Sequence, residues 1–351
     1  MPGPAVVRHV TPVPAATAAG VVAEVYEQST REIGRLVEAV TMFSPDPVLL
    51  AATWAGFREP LMAAGRAPRV GKEAVAATVS KLNECPFCVD AHTIMLYGGG
   101  AADFAAQLLG GKAMDPAAGA HAALARWAQD VSVAAGAAVP PPFAPEEAPE
   151  YLGVLVYFHF LNRVINVLLN GSFLPGPERA RQIARRVGGK VMAKNVAAVN
   201  APGEAVGLTV PPEAALPPDL AWAAGSPPIA AALAWLAAAV DKAASGVVPA
   251  PVRDLVAAAV DDWRGEPPPV SSSWTDEPVE RLPGELRPTA RLALLAALAP
   301  HQVSDRDVDA FRTTRPGDAP LIALLCWSAL TAARRVGTWA AASLPAARRS
   351  A

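Results

Sequence analysis

Two cysteines, a histidine and a glutamate form the group of residues best suited to chemistry. Cys85 and Cys88 are three residues apart, and His92 follows four residues after Cys88. Glu73 precedes Cys85 by twelve residues. Spacings of three and four bring side chains onto one face of a helix, and cysteines one turn apart have Cα atoms roughly 5–6 Å apart, within disulfide range. The spacing predicts a thiol pair that cycles between dithiol and disulfide.

Two consecutive helices must position this group. The pattern predicts one helix over residues 71–82, which carries Glu73, and a second helix that starts at Cys85. Pro86 suits the first position of that helix, where its missing amide would be unpaired anyway. The positive end of a helix favours a thiolate, so we expect thiols with a lowered pKa. His92 suits proton transfer because imidazole titrates near neutrality.

The complete pattern is Glu-(x)11-Cys-Pro-Phe-Cys-x-x-x-His, with Ser80 and Asn83 inside it. It resembles the alkylhydroperoxidase D and carboxymuconolactone decarboxylase family, most clearly over residues 45–170. The resemblance implies an all-α bundle that assembles into a homo-oligomer such as a trimer. It also implies a peroxide substrate, a dithiol reductant such as a lipoylated protein, and a peroxiredoxin as a downstream partner.

The peroxidase branch of this family supplies a role for each residue. By resemblance, Cys88 attacks the peroxide, and Cys85 donates a proton and then closes the disulfide. His92 and Glu73 form the relay that activates Cys88. One position departs from the pattern: where the peroxidase prototype has a histidine between the cysteines, this chain has Phe87. Phenylalanine carries no proton, so the relay would need a water molecule.

Other interpretations of the cysteine pair remain open. A decarboxylase or isomerase of the lactone-metabolising branch would not need the pair, and a redox-sensing binding module would form the disulfide without turnover. A structural zinc site needs four ligands. Cys85, Cys88 and His92 supply three, so we predict no metal, and we expect no cofactor. A thioredoxin fold is disfavoured because no alternating β-α-β pattern surrounds the motif.

A polar stripe runs along the longest apolar stretch, residues 151–169. His159 and Arg163 are four residues apart, as are Asn162 and Asn166, so all four occupy one side of a predicted helix. These polar residues argue against a membrane span. The stripe either forms a hydrogen-bond network between helices, or His159 and Arg163 line a pocket over Cys88.

The composition indicates which kinds of partner and which cellular compartment suit the protein. The chain has 351 residues and a net charge of −2, which argues against a nucleic-acid groove or an anionic membrane surface. Its three cysteines suit a reducing compartment better than a disulfide framework. The first residues lack a charged start followed by an apolar run, so we predict a cytoplasmic protein.

The second half of the chain resembles a copy of the first half without the chemistry. Residues 47–80 align without gaps with residues 228–261, and Trp54 matches Trp235. The cysteine segment then corresponds to Glu-Pro-Pro-Pro at 266–269, which cannot continue a helix. We predict an extended arm (1–18), a repeat with the cysteine pair (19–200), a proline-rich linker (201–227) and a degenerate repeat (228–345). Cys326 is predicted to be a buried packing residue.

Overall fold

The protein is an assembly of helices joined by short loops. The computed structural model describes residues 7–111, 115–206 and 214–345. Within these ranges the extended pairings are isolated bridges, Val7 with Leu169 and Ala63 with Asn200. The predicted all-α fold is confirmed. Residues 1–6 of the predicted arm and 207–213 of the predicted linker lie outside the described residues.

The thiol-bearing half consists of helices that follow one another closely. They are α1 (Gly20–Ile33), α2 (Glu38–Thr41), α3 (Pro47–Leu61), α4 (Arg69–Leu82), α5 (Pro86–Gly98), α6 (Ala102–Leu109), α7 (Ala120–Asp130), α8 (Ala148–Leu168) and α9 (Glu178–Val196). The later half contains α10 (Pro227–Ala244), α11 (Ala250–Asp262), α12 (Asp276–Glu280), α13 (Arg287–Leu298), α14 (Asp305–Thr314) and α15 (Asp318–Ala342).

Caps and glycines set the ends of the first helices. Asp46 caps α3, because its carboxylate accepts hydrogen bonds from the amides of Val48 and Leu49, both at 3.0 Å. The periodicity of residues 19–41 predicts one helix, but the structure has two. Gly34 adopts a left-handed conformation with φ of 96° and ends α1. The break matters for the site because the α1–α2 turn forms part of a cavity wall.

A sharp link joins the two helices that carry the motif. Glu84 has a positive φ of 49°, which few non-glycine residues adopt. Cys85 is the N-cap of α5, and its amide donates to the Ser80 carbonyl at 2.9 Å. Pro86 occupies the first helical position, as predicted. The link folds α5 back against α4, and α9 packs on the other side of α5.

Two long apolar helices form the centre of the molecule. Both α8 and α15 are long and apolar enough to cross a membrane by length and composition alone, but the apolar window is 94% buried within the protein for α8 and 72% for α15. Their apolar character is therefore accounted for by the core. α15 packs along α8, and α10 packs along α3. α3 and α10, which lie at matching places in the aligned segments, thus contact each other, although the tandem repeat itself remains a prediction.

Candidate active site

Both cysteines of the motif lie beneath the surface as free thiols. Cys85 is 0% exposed and Cys88 is 2% exposed. The Cys88 thiol hydrogen-bonds to Cys85 within α5, to Ser80 of α4 and to Asn162 of α8. Asn162 also donates to the Ser80 hydroxyl at 3.2 Å. Three helices therefore hold the Cys88 sulfur in place.

The carboxylate and the imidazole of the motif meet as a buried pair. Nδ1 of His92 on α5 lies 2.6 Å from Oε2 of Glu73 on α4. The packing of these two helices against each other brings the two groups together. Nε of Arg69, one turn earlier on α4, donates to Oε1 of Glu73 at 2.8 Å. Burial alone would raise the pKa of Glu73, but the charge of Arg69 and the interactions with Arg69 and His92 outweigh it and lower the pKa overall. Glu73 is thus an anion that orients His92.

A largely apolar cavity of about 360 Å³ reaches this group. Four motif residues line it: Glu73, Phe87, Cys88 and His92. The other walls come from the α1–α2 turn, from α3, α8 and α9, and from Phe173, whose ring packs edge-on against Phe87 at 5.0 Å. Cys88, the candidate nucleophile, and His92, the candidate proton carrier, therefore line the same cavity.

Burial gives Cys88 a different ionisation state from the one that its helix position predicts. Burial raises the pKa of Cys88 well above its usual value, and the hydrogen bond with Cys85 adds to the effect. Hydrogen bonds from Asn162 and Ser80 act in the opposite direction but are weaker. The expectation of a lowered thiol pKa is therefore wrong for Cys88, because loss of hydration outweighs the helix end. The thiol is protonated at neutral pH.

Cys88 and His92 line the same cavity without a direct hydrogen bond among the described residues. The described residues contain no hydrogen bond between the thiol and the imidazole, since Cys88 bonds to Cys85, Ser80 and Asn162 and His92 bonds to Glu73. A molecule in the cavity, either water or substrate, can bridge the two groups. Catalytic hydrogen bonds often form only in the complex with substrate. Phe87 faces the cavity where it supplies apolar surface rather than a proton path.

The polar stripe of α8 forms a network inside the protein. The His159 ring contacts Asn83 at 3.2 Å and Ser132 at 3.0 Å. Arg163 donates to the Ala297 carbonyl of α13 at 2.8 Å, which ties the two halves together. Burial, followed by the charge of Arg163, lowers the pKa of His159 well below its usual value, so His159 is neutral.

The candidate pocket residues divide between the cavity and the network. Phe87 lines the cavity, whereas His159, Arg163, Ser80 and Asn83 are not among its lining residues. The suggestion that His159 and Arg163 line a pocket over Cys88 therefore does not match the geometry. Ser80 contacts the site directly through the Cys88 thiol, and Asn83 contacts it indirectly by donating to the Asn162 side chain at 3.1 Å.

Arg69 was missed among the candidate site residues, and Asn162 was named only as part of the polar stripe. Arg69 neutralises Glu73 across one helical turn, and this i, i+4 pairing is visible in the sequence. Asn162 contacts Cys88 from α8, and only the fold reveals that contact.

Helical architecture and a buried thiol pair beside a glutamate–histidine pair define the class: the chain belongs to the carboxymuconolactone decarboxylase family. The model of that family matches residues 49–130, which include the whole motif. Over 338 residues the chain is 49% identical to the alkyl hydroperoxide reductase Rv2159c of Mycobacterium tuberculosis (strain ATCC 25618 / H37Rv). That alignment covers 96% of each chain, so the similarity includes the later half as well as the thiol-bearing half.

Proposed function

We propose that this protein is a thiol-dependent peroxidase that reduces organic hydroperoxides. The observation that carries the proposal is that Cys88 and the Glu73–His92 pair line one cavity, while Cys88 also contacts a second thiol, Cys85. Similarity to a protein named as an alkyl hydroperoxide reductase supports the same reaction class. The family contains decarboxylases too, but no feature of the cavity singles out that activity.

The proposed reaction starts when Cys88 loses its proton to His92 through a bridging molecule in the cavity. The thiolate attacks the terminal peroxide oxygen and breaks the O–O bond, which gives a sulfenic acid and an alkoxide. His92 returns the proton to the alkoxide, and an alcohol leaves. Glu73 stabilises the imidazolium that exists between these two transfers.

Cys85 completes the oxidative half of the cycle. Its sulfur attacks the sulfenic acid on Cys88, a disulfide forms, and water leaves. Both thiols are free in the present structure, so the disulfide is part of the proposal. An external thiol reductant then restores the pair. The family resemblance suggests a lipoylated protein as reductant and a peroxiredoxin as a downstream partner, in a cytoplasmic setting.

The cavity favours a hydroperoxide with an apolar body. Leu61, Ile94, Met95 and Leu161 contribute apolar surface around the thiol. Burying each methylene of a substrate there contributes about 0.8 kcal/mol. Hydrogen peroxide gains nothing from these walls, so cumene hydroperoxide is expected to react faster than hydrogen peroxide.

A single-turnover experiment tests the reaction. The reduced protein is mixed with a stoichiometric amount of cumene hydroperoxide, thiols are trapped by alkylation, and the products are mapped by mass spectrometry. We expect a Cys85–Cys88 disulfide in the native protein and a Cys88 sulfenic acid in Cys85→Ser. Cys326→Ser is the matched control, because Cys326 is fully buried in α15 and does not line the cavity. Thiols that stay reduced for many minutes contradict the proposal.

The double substitution Cys85→Ser and Cys88→Ser separates the peroxidase from a lactone-metabolising enzyme. A peroxidase loses its activity completely in this variant. A decarboxylase or isomerase keeps its activity because its chemistry does not use the pair.

We also propose that the protein forms a homo-oligomer through α9. Ile183, Val187 and Val191 repeat every four residues and are 65%, 56% and 71% exposed, which makes an uncovered apolar stripe on that helix. Sedimentation of Val187→Lys tests the interface and is expected to show a smaller species than the native protein. Val270→Lys is the control, because Val270 is 100% exposed and outside the stripe. An unchanged sedimentation pattern for Val187→Lys counts against α9 as the interface.

A further inference from the structure

A second pocket lies beside the substrate cavity and contacts the other cysteine. It has a volume of about 310 Å³, and Cys85 lines it. Phe87 lines both spaces, so the two cavities are neighbours that share this residue. Cys88 lines only the first cavity and Cys85 only the second. The two cysteines of one redox pair therefore adjoin different spaces, each from beneath the surface, since Cys85 is 0% and Cys88 2% exposed.

The two cavities differ in chemical character. The cavity at Cys88 is walled mainly by aliphatic and aromatic side chains. The pocket at Cys85 has polar and charged side chains from four separated parts of the chain: Arg8, Glu84, Asn166, Asn170 and His301. Glu84, Asn170 and His301 are exposed, so the pocket opens to solvent. A hydrophilic molecule suits this pocket, and an apolar hydroperoxide suits the other cavity.

We propose that the pocket at Cys85 binds the reductant and that this reductant is a small hydrophilic thiol of the cysteine type, in place of the lipoylated protein that the family resemblance suggests. The thiol attacks the Cys85 sulfur of the oxidised pair. This inference rests on the peroxidase function proposed above. Arg8, which already pairs with Asp305 at 2.6 Å, and His301 match a carboxylate on such a thiol, and Glu84 matches an ammonium group. Peroxide and reductant would then reach the pair from separate openings, and neither has to leave before the other binds.

The reduction balances as two thiol–disulfide exchanges. The thiolate of the reductant forms a bond with Sγ of Cys85 and breaks the Cys85–Cys88 bond, so Cys88 leaves as a thiolate and takes a proton within the first cavity. A second reductant thiolate attacks the mixed disulfide and releases Cys85. Two molecules of thiol become one molecule of disulfide, and the protein returns to the dithiol form.

The test isolates the reductive half of the cycle. The protein disulfide is made with diamide, so the assay does not depend on any reaction with peroxide. Its reduction by L-cysteine is followed by acid quench and mass spectrometry. We expect the first adduct on Cys85, and an adduct on Cys88 overturns the proposal. A failed peroxidase would be recognised separately, by thiols that survive cumene hydroperoxide.

Substitution of His301 tests the pocket itself. The His301 side chain is exposed, so its variants are expected to fold. His301→Trp fills the pocket and is expected to slow reduction by L-cysteine by about tenfold or more, the size of effect that a misplaced reactant produces. The matched variant Met95→Trp fills the other cavity and is expected to slow oxidation by cumene hydroperoxide but not reduction. Reduction at the native rate in His301→Trp overturns the proposal.

A charge substitution gives a second readout that a structural effect would not produce. His301→Glu adds a carboxylate to the pocket, which repels 3-mercaptopropionate and attracts cysteamine. The ratio of the cysteamine rate to the 3-mercaptopropionate rate is expected to rise about fivefold over the native ratio, as for a partly screened charge pair. A ratio equal to that of the native protein overturns the assignment.

Discussion

At the scale of single residues, the ionisation of the buried Cys88 thiol limits the first step of the proposed reaction. Burial raises the pKa of Cys88, so the thiolate fraction is small at pH 7. Below its pKa, the thiolate fraction grows about tenfold for each pH unit. We expect the rate of Cys88 oxidation by cumene hydroperoxide to rise steadily from pH 7 to pH 9. Stopped-flow measurements on Cys85→Ser, where only one motif thiol reacts, check this. A plateau across that range would show a thiol that is already ionised.

Two buried glutamates with basic partners have different roles. Glu73 orients His92, so Glu73→Gln is expected to lower the rate of Cys88 oxidation by about 10–100-fold, as when a partner that fixes a functional histidine is lost. Glu150 instead accepts from Lys72 at 3.1 Å and from the Arg66 amide at 2.7 Å, outside the cavity. Glu150→Gln is expected to cost about 3 kcal/mol of stability and to leave the oxidation rate unchanged.

Single-turnover kinetics and urea unfolding of both variants distinguish the two roles. Equal losses of rate in Glu73→Gln and Glu150→Gln would mean that both act through the stability of the fold. A native oxidation rate in Glu73→Gln would remove Glu73 from the relay.

Sequence reasoning finds those site residues whose neighbours are close along the chain. The spacing of Cys85, Cys88 and His92 fixes their common helix face, and the preceding helix supplies Glu73. Asn162 escapes this reasoning because it reaches Cys88 from a helix that lies about seventy residues later. The raised pKa of Cys88 could not be predicted either, because burial by helices distant in the sequence decides the direction of the shift.

At the scale of helices, the close packing of α5 and α9 forms one side of the substrate cavity. A Cβ atom on Gly189 would lie 2.5 Å from Cβ of Tyr97, closer than folded proteins allow. Gly189→Ala is therefore expected to push α9 away and to cost about 1–3 kcal/mol. A Cβ atom on Gly188 would lie 3.4 Å from Ile94, an ordinary contact. Gly188→Ala should be neutral or should stabilise α9 by about 0.5–1 kcal/mol, because alanine favours a helix.

Urea denaturation of both alanine variants checks this difference. Displacement of α9 should also slow the oxidation of Cys88 by cumene hydroperoxide in Gly189→Ala, since α9 forms one wall of the cavity. Equal unfolding free energies in the two variants would show that the helices can separate without cost.

Helix ends were predictable where a local signal marks them, and less so where a glycine acts alone. Asp46 and Pro47 mark the start of α3 in the sequence and in the structure. The break after Ile33 was missed, because its apolar periodicity continues past Gly34 into α2. The packing of α9 on α5 depends on Gly98 and Gly189, whose contact joins residues distant in sequence.

The two halves share one core at the scale of the whole molecule. α8 contacts α15 along its length, and Arg163 of α8 bonds to the Ala297 carbonyl of α13. The later half lacks a cysteine pair, but it covers α3 and α8, which carry or support the cavity walls. The aligned Trp54 and Trp235 suggested a repeat from the sequence, whereas the way the halves pack could not be read from one sequence. We infer that the later half stabilises the thiol-bearing half.

Urea unfolding of the native protein and of Gly337→Ala tests whether the two halves are coupled. A Cβ atom on Gly337 of α15 would lie 2.9 Å from Cγ2 of Val156 on α8, so Gly337→Ala strains the contact between the halves by about 1–2 kcal/mol. Thiol exposure of Cys85 and Cys88 reports the first half, and tryptophan fluorescence reports mainly the later half, since only Trp54 and Trp127 precede residue 201. Because one core unfolds as a unit, both signals should shift together to lower urea concentration. If fluorescence shifted while exposure of Cys85 and Cys88 kept its native midpoint, the halves would be independent and the site would not rely on the later half.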